Sequence, residues 1–356
     1  MNMIQRTERA RVQMAEKDLE AMMFTSRENK FYTAGLYSGS GCVLLTKKQI
    51  YAIVDGRYYL AQKRRMGQGI TLRIDNSCPA SCHINRILEE EGITRLGFEA
   101  EETPFSVWQK WSRDLKAELI PVSLPHLRSV KSEDELSFIR EACRIADQGY
   151  AYILDHIRVG MTEKQAENEL LYYMKSLGAQ KESFDIIVAS GENGAMPHAK
   201  AGERVMQAGD FVTMDFGVRF GEYCSDITRS FAIGEAPEPL KTVYAVVLKA
   251  QEKAIASIRP GCCCNEIDRV ARDVIEKAGY GENFSHNLGH SMGIACHEDP
   301  RFEPSDSTVL AAGMVLTVEP GIYLEGIGGI RIEDDILVTE NGCEVLTHAP
   351  RDLKIV

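Results

Sequence analysis

The fold is decided by two related stretches, AGDFVTMDFG at residues 208–217 and AGMVLTVEPG at residues 312–321. Each holds an Ala-Gly pair, then a Thr, a carboxylate and a Gly at alternate positions. Both have the composition of β-strands, in which residues i and i+2 share a face. Thr213 and Asp215 therefore lie on one face, as do Thr317 and Glu319. This recurrence predicts an α+β domain with an internal, pseudo-twofold repeat.

The repeat extends in both directions from these strands. Upstream, IRVG at residues 157–160 and IRPG at residues 258–261 each open a helical pattern, and these patterns end near Gly178 and Gly279. Downstream, each half adds a second carboxylate on its next β-type run, Asp226 in the first half and Glu333 in the second. We expect Asp226 to lie across from Asp215 on the facing strand, and the four carboxylates to meet near the pseudo-twofold axis.

Four converging carboxylates repel one another unless cations lie between them. Bound divalent metal is the simplest remedy, and such a set of hard ligands suits two ions about 3.5–4 Å apart. Histidines are available nearby, since His286, His290 and His297 fall within a Gly-rich stretch that has the composition of a loop. Each residue alone is weak support for a metal site, and the repeat is what favours this interpretation.

A separate domain precedes the repeat. Residues 1–125 alternate between helical patterns (6–20, 56–66 and 81–90) and short β-type runs (21–24, 43–46, 51–55, 95–98 and 118–121), which is typical of an α/β layer. Residues 121–131 carry two prolines and little periodicity, so we place the boundary there. Residues 126–356 then form the second domain, which begins with a capping box at Ser132 and one long amphipathic helix.

Composition excludes several functions. The net charge is −11 over 356 residues, which argues against nucleic acid as a partner. No apolar stretch approaches the roughly 20 residues of a membrane span, and the N-terminal residues do not have the pattern of a signal peptide. We therefore expect a cytoplasmic protein whose ten cysteines are thiols. Cys262, Cys263 and Cys264 lack the spacing of a zinc site, so a metal or redox role is not expected for them.

At these residues the chain resembles a known family, the two-domain "pita-bread" metallopeptidases of the aminopeptidase P and prolidase group. The stretches that carry the resemblance are MPH at 196–198, MDFG at 214–217, YCSDITR at 223–229, HNLGH at 286–290, HEDP at 297–300, VEPGIY at 318–323 and GIRIED at 329–334. Residues 24–29 and 54–59 are similar to the creatinase/prolidase N-terminal domain.

The resemblance implies roles for individual residues. The metal ligands it implies are Asp215, Asp226, His290, Glu319 and Glu333, with Glu319 also acting as general base. The implied substrate-handling residues are His198, His297, His286, Tyr323 and Arg331. Ser291 departs from the family's common pattern, which has Gly there, and Ala295-Cys296 replaces an acidic-aliphatic pair. These departures flank the expected pocket and bear on substrate preference more than on metal binding.

The implied activity is hydrolysis of the peptide bond before proline by water activated between two metal ions. Ligand hardness favours Mn²⁺, whereas the affinity order favours Co²⁺ or Zn²⁺. The expected partners are small proline-containing peptides and a second copy of the chain in a homodimer, with no nucleic acid and no membrane. Dipeptidase and aminopeptidase activity stay open, and two alternatives remain: a related hydrolase with a shifted substrate, and a catalytically silent binding module.

Overall fold

The computed structural model describes residues 3–67, 69–75 and 78–356 of the chain. The chain folds into two compact units, Met1–Leu127 and Arg128–Val356, so the division falls two residues beyond the boundary placed at residue 125. Within the described part of the chain, none of the helices combines the length and the apolar character that crossing a bilayer requires.

Unit 1 (Met1–Leu127) is built on a mixed six-stranded sheet. The strands are β1 Ala21–Phe24, β2 Cys42–Thr46, β3 Ile50–Val54, β4 Ile70–Ile74, β5 Arg95–Glu99 and β6 Glu118–Val122. Their order in the sheet is β4-β3-β2-β1-β5-β6, in which parallel pairs (β3 with β4, β1 with β5, β5 with β6) flank two antiparallel ones. The helices are α1 Met3–Glu16, α2 Arg27–Ala34, α3 Gly56–Arg65, α4 Ala80–Glu91 and α5 Phe105–Asp114.

The first helix is shorter than the pattern over residues 6–20 predicts. It ends at Glu16, and the chain then turns through Asp18, which has a positive φ of 51°. The amide of Leu19 donates to the carbonyl of Met14, which closes this turn before strand β1 begins. Asp is one of the few non-glycine residues that adopts this left-handed conformation readily, so the turn has a local cause that apolar periodicity does not report.

Unit 2 (Arg128–Val356) contains the repeat. The helices are α6 Glu133–His156, α7 Glu163–Ser176, α8 Leu240–Ser257 and α9 Cys264–Lys277. The strands of the first half are β7 Lys181–Glu182, β8 Ile187–Ser190, β9 Phe211–Phe216, β10 Val218–Phe220, β11 Tyr223–Cys224 and β12 Ile227–Ala232. Those of the second half are β13 Gly289–Ser291, β14 Glu298–Phe302, β15 Val315–Val318, β16 Gly321–Leu324, β17 Gly328–Arg331, β18 Asp334–Val338 and β19 Cys343–Val345.

Each half packs its own pair of helices on its own strands. Helices α6 and α7 share one apolar cluster with strands β9 and β12, which includes Ile145 and Phe231. Helices α8 and α9 share another with strands β15 and β18, which includes Val247 and Leu316. Sheet orders β12-β9-β8 and β14-β13-β15-β18-β19 place β9 and β15 inside their sheets. The repeated strands therefore hold their carboxylates on rigid, well-packed elements.

The repeat also gives a structural account of two of the three consecutive cysteines, Cys263 and Cys264. Thr162 caps helix α7, where its hydroxyl accepts from the Gln165 amide at 3.1 Å. Cys263 takes the equivalent place before helix α9, and its amide donates to the Glu266 carboxylate at 3.2 Å. Cys264 is fully buried in the core below. The capping position and the core together account for two of the three cysteines in terms of structure.

Candidate active site

The four carboxylates emerge from the two repeated strand pairs. In the first half, Asp215 of β9 pairs with Thr228 of β12, so the prediction that Asp226 lies directly across from Asp215 is wrong. In the same register, Asp226 lies two residues before Thr228, so it is diagonal to Asp215 on the same face of the strand pair. In the second half, Val318 pairs with Asp334 and Gly321 with Arg331, and this register sets Glu319 opposite Glu333. The two halves thus differ in where they carry the second carboxylate.

Three predicted metal ligands come together most closely. Asp226, His290 and Glu333 each offer one ligand atom, and these atoms all lie within 4.8 Å of one another. His290 Nε2 is 3.7 Å from Asp226 Oδ2 and 3.5 Å from Glu319 Oε1. His290 belongs to strand β13, so the expectation of a loop around all three histidines is wrong at this position.

Hydrogen bonds to neighbouring side chains hold three of the four carboxylate residues, Asp215, Glu333 and Asp226, in place. Arg331 donates to Asp215 Oδ2 at 2.6 Å, in a pair whose side chains are only 4% and 13% exposed. Thr228 donates its hydroxyl to Glu333 Oε2 at 2.6 Å. The peptide N–H of Asp226 donates to Asp335 Oδ2 at 2.9 Å. Arg331 also donates to the Thr228 hydroxyl at 3.1 Å, so Asp215 is linked to Glu333 through Arg331 and Thr228.

The electrostatics of this cluster favour bound cations. Burial and the neighbouring carboxylates raise the pKa of Asp226 and of Glu333 well above the usual range, and burial raises the pKa of Glu319 to about 8. Burial lowers the pKa of His290 to about 3, which keeps its imidazole neutral. Among the described residues, no hydrogen-bond partner is found for the buried oxygens Asp215 Oδ1 and Asp226 Oδ1. Oxygen-rich ligands with one neutral imidazole and unpaired oxygens fit divalent metal.

Tyr323 links two of the predicted substrate residues. His286 Nδ1 lies 2.8 Å from the Asn287 carbonyl oxygen, which can only accept, so this nitrogen carries the proton. His286 Nε2 then accepts from the Tyr323 hydroxyl at 2.8 Å. The same hydroxyl accepts from Arg331 at 2.8 Å. A directed chain therefore runs from Arg331 through Tyr323 to His286, and burial lowers the pKa of His286 to about 4, in keeping with a neutral ring.

The site opens into a cavity of about 680 Å³. His198 and His297 both line it with exposed side chains, and the His297 ring lies 4.3 Å from the His290 ring, centroid to centroid. The cavity wall also carries cationic side chains, those of Lys164, Lys200 and Arg301. A pocket of this size with metal-ligating groups at its base and cations on its wall suits a small peptide.

Sequence reasoning missed several residues of this site. Thr228 belongs to the YCSDITR motif but receives no role from the sequence, and only its register position opposite Asp215 marks it as a partner of the carboxylates. Arg301 lies four residues after His297, and nothing local distinguishes it from other surface arginines. Cys296 was noted only as a departure from the family pattern, whereas its Sγ lies 3.1 Å from Asp226 Oδ2.

Comparison with known proteins identifies the class. The sequence model of metallopeptidase family M24 matches residues 137–340, and that of the Creatinase/Prolidase N-terminal domain matches residues 6–130. The chain therefore belongs to metallopeptidase family M24, and the predicted two-domain pita-bread fold is confirmed.

Its relatives carry more particular names. An Xaa-Pro dipeptidase from Bacillus anthracis has a solved structure that superimposes with a TM-score of 0.96 at 40% identity and covers 100% of both chains. An Xaa-Pro dipeptidase from Pyrococcus horikoshii is 36% identical over 348 residues, 96% of each chain. An X-Pro aminopeptidase structure from Thermotoga maritima matches with a TM-score of 0.89 at 34% identity and covers 95% of this chain and 98% of that one.

Proposed function

We propose that this protein hydrolyses the peptide bond before proline in small peptides, with two divalent metal ions in the active site. The observation that carries the proposal is the convergence of Asp226, His290 and Glu333 beside Asp215 and Glu319 at the base of a peptide-sized cavity. The names of the relatives, Xaa-Pro dipeptidase and X-Pro aminopeptidase, support the same substrate class.

The five ligands would hold the two ions between the halves of unit 2. Hard oxygen ligands favour Mn²⁺, with Co²⁺ or Zn²⁺ as alternatives. When bound, such ions lower the pKa of water and polarise a carbonyl group. Glu319 would accept the proton of the attacking water, because its carboxylate lines the cavity beside His290.

The histidines on the cavity wall would handle the substrate. His198 and His297 are exposed to the cavity and have donors available for a scissile carbonyl oxygen and for the developing negative charge. His286, held through Tyr323 by Arg331, would fix the shape of the adjoining wall. Arg331 would also keep Asp215 aligned with the other ligands.

Among Xaa-Pro peptidases, we favour a dipeptidase. Arg301 lines the cavity close to His297, where its guanidinium would bind the carboxylate of a C-terminal proline. A longer peptide would place an uncharged amide there instead. The solved X-Pro aminopeptidase relative keeps the alternative open, in which tripeptides and longer peptides are cleaved.

The decisive experiment compares Ala-Pro, Ala-Pro-Ala and Ala-Ala as substrates, with Mn²⁺ added and then with EDTA. We expect metal-dependent cleavage of Ala-Pro, little cleavage of Ala-Pro-Ala and none of Ala-Ala. Cleavage of Ala-Pro-Ala would instead indicate an aminopeptidase. Cleavage of none of them by a chain that binds no Mn²⁺ would contradict the proposal and favour the binding module. Asp226→Asn is the matched inactive variant because it removes a ligand charge but keeps the side-chain shape.

We propose a homodimer in the cytoplasm that acts on short peptides. Size-exclusion chromatography with light scattering measures the mass directly, and a value near 39.7 kDa would contradict the dimer.

A further inference from the structure

We propose that Cys296 is a positioning residue of the metal centre, whose thiol donates a hydrogen bond to Asp226 and fixes the orientation of that carboxylate. This inference rests on the proposed metal-dependent function. It assigns a role to a residue that departs from the family's common pattern at a position next to His297.

The geometry separates a donor role from a ligand role. Cys296 Sγ lies 3.1 Å from Asp226 Oδ2, and an ionised carboxylate only accepts, so the thiol is the donor. The close group of potential ligand atoms found among the described residues comprises Asp226, His290 and Glu333, without the sulfur. The other carboxylate oxygen, Asp226 Oδ1, is buried and finds no hydrogen-bond partner in the part of the chain that the structure describes. The thiol thus contacts the carboxylate oxygen that also lies 3.7 Å from His290 Nε2, and it restrains the carboxylate as a whole.

Hydrogen bonds fix the backbone just before Cys296, and one of them comes from strand β11, which leads to Asp226. The Cys224 amide donates to the Gly293 carbonyl at 2.8 Å, and the Ala295 amide donates to Glu298 Oε1 at 3.1 Å. Cys296 itself is 7% exposed and Asp226 is 4% exposed, so bulk water does not compete freely for this contact. Both residues therefore meet in one arrangement that the surrounding backbone maintains.

Asp226 is then held at two points. Its amide donates to Asp335, and its carboxylate accepts from Cys296. Donors of this kind orient the ligands of a metal and set its affinity. An aliphatic side chain, which the family pattern favours at position 296, fills a similar small apolar space but has no proton to donate. The thiol keeps the packing and adds a weak donor.

Mn²⁺ binding to the full chain tests this role independently of turnover. Bound and free Mn²⁺ are measured by electron paramagnetic resonance after metal is removed by chelation. We expect Cys296→Ala to weaken Mn²⁺ binding by about tenfold, in the range for lost partners of metal ligands. Cys296→Ser restores a donor and should recover most of that loss. The control is Cys264→Ala, which removes a fully buried thiol at the start of helix α9 and should leave the Mn²⁺ affinity unchanged.

The outcomes distinguish this inference from the proposed function. If the unmodified chain binds Mn²⁺ and Cys296→Ala binds it equally well, the positioning role is wrong while the metal centre stands. Equal losses in Cys296→Ala and Cys264→Ala would also overturn it, because a general loss of packing would then explain both. If the unmodified chain binds no Mn²⁺, the metal centre and this inference fall together. If the circular dichroism spectrum shows that Cys296→Ala does not fold, Cys296→Val, which also has no donor, provides the same comparison.

Discussion

Replacing Arg229 with Met should destabilise unit 2 more than any surface change of the same charge. The Arg229 side chain is fully buried and pairs with Asp334, also fully buried, at 2.7 Å. It also donates to four backbone carbonyls, those of Thr228, Glu333, Ala349 and Pro350. Removing one partner of a buried ion pair costs about 3–5 kcal/mol. Asp334 still pairs with Arg351 at 2.6 Å, whereas the four carbonyls lose their donor. We therefore expect the free energy of unfolding of unit 2 to fall by about 4 kcal/mol.

Urea unfolding followed by circular dichroism measures this loss. The two tryptophans, Trp108 and Trp111, both belong to helix α5, so their fluorescence identifies the transition of unit 1. The remaining circular dichroism transition reports unit 2. With an m value of about 3 kcal/mol/M, a loss of about 4 kcal/mol lowers the midpoint by about 1.3 M.

Arg351→Met is the matched control, because it removes a second arginine from the same Asp334. Its side chain is 28% exposed, so the expected loss is about 1 kcal/mol, or a midpoint shift of about 0.3 M. Equal shifts for Arg229→Met and Arg351→Met would refute the reasoning, because burial would then not determine the cost. A shift below that of the control would refute it as well.

Three further predictions follow from contacts in unit 2. In Arg331→Lys, the lysine cannot donate to Asp215 and Tyr323 in the same forked geometry, so kcat/KM for Ala-Pro should fall by about tenfold or more. The circular dichroism spectrum should be unchanged, and full activity would contradict the role of Arg331 in aligning Asp215. Lys131→Met removes a buried ammonium group 3.4 Å from Glu298. Because Glu298 keeps its other partner, Arg128, the free energy of unfolding in urea should fall by about 2 kcal/mol, and no change would argue against a structural role for Lys131. Cys263→Ser keeps a capping side chain, so unfolding midpoint and Mn²⁺ affinity should both be retained, and a lower affinity would reveal a metal role for the three cysteines.

Local chemistry made much of the fold predictable. Ser132 and Glu135 form the hydrogen bonds that start helix α6, and the apolar stripe that follows is buried as its spacing predicts. Helix α5 is not predicted, although Phe105, Trp108 and Trp111 recur at the spacing of one helix face; it is short, and none of its residues is fully buried. Strand β4 was missed for a related reason, since its residues are only partly buried.

The candidate site was predictable in its residue types but not in its pairings. The repeat identified Asp215 and Glu319 because both halves carry the same strand pattern. The register that places Thr228, rather than Asp226, opposite Asp215 depends on how two strands meet, which a one-residue shift alters without changing composition. The contact between Cys296 and Asp226 joins residues far apart in the chain, and no local pattern encodes it.

The register of the two halves of unit 2 also affects whether a half pairs with the other half of its own chain or with an identical half of a second chain. Thr228 and Glu333 occupy matching positions in the two halves, as do Arg229 and Asp334, which follow them. Each residue contacts its own counterpart, as donor to acceptor or as cation to anion. An isolated half that met a second copy of itself would bury Arg229 against Arg229, or Asp334 against Asp334, and like charges without partners oppose such association. The contact therefore favours the two different halves of one chain over exchange between identical ones.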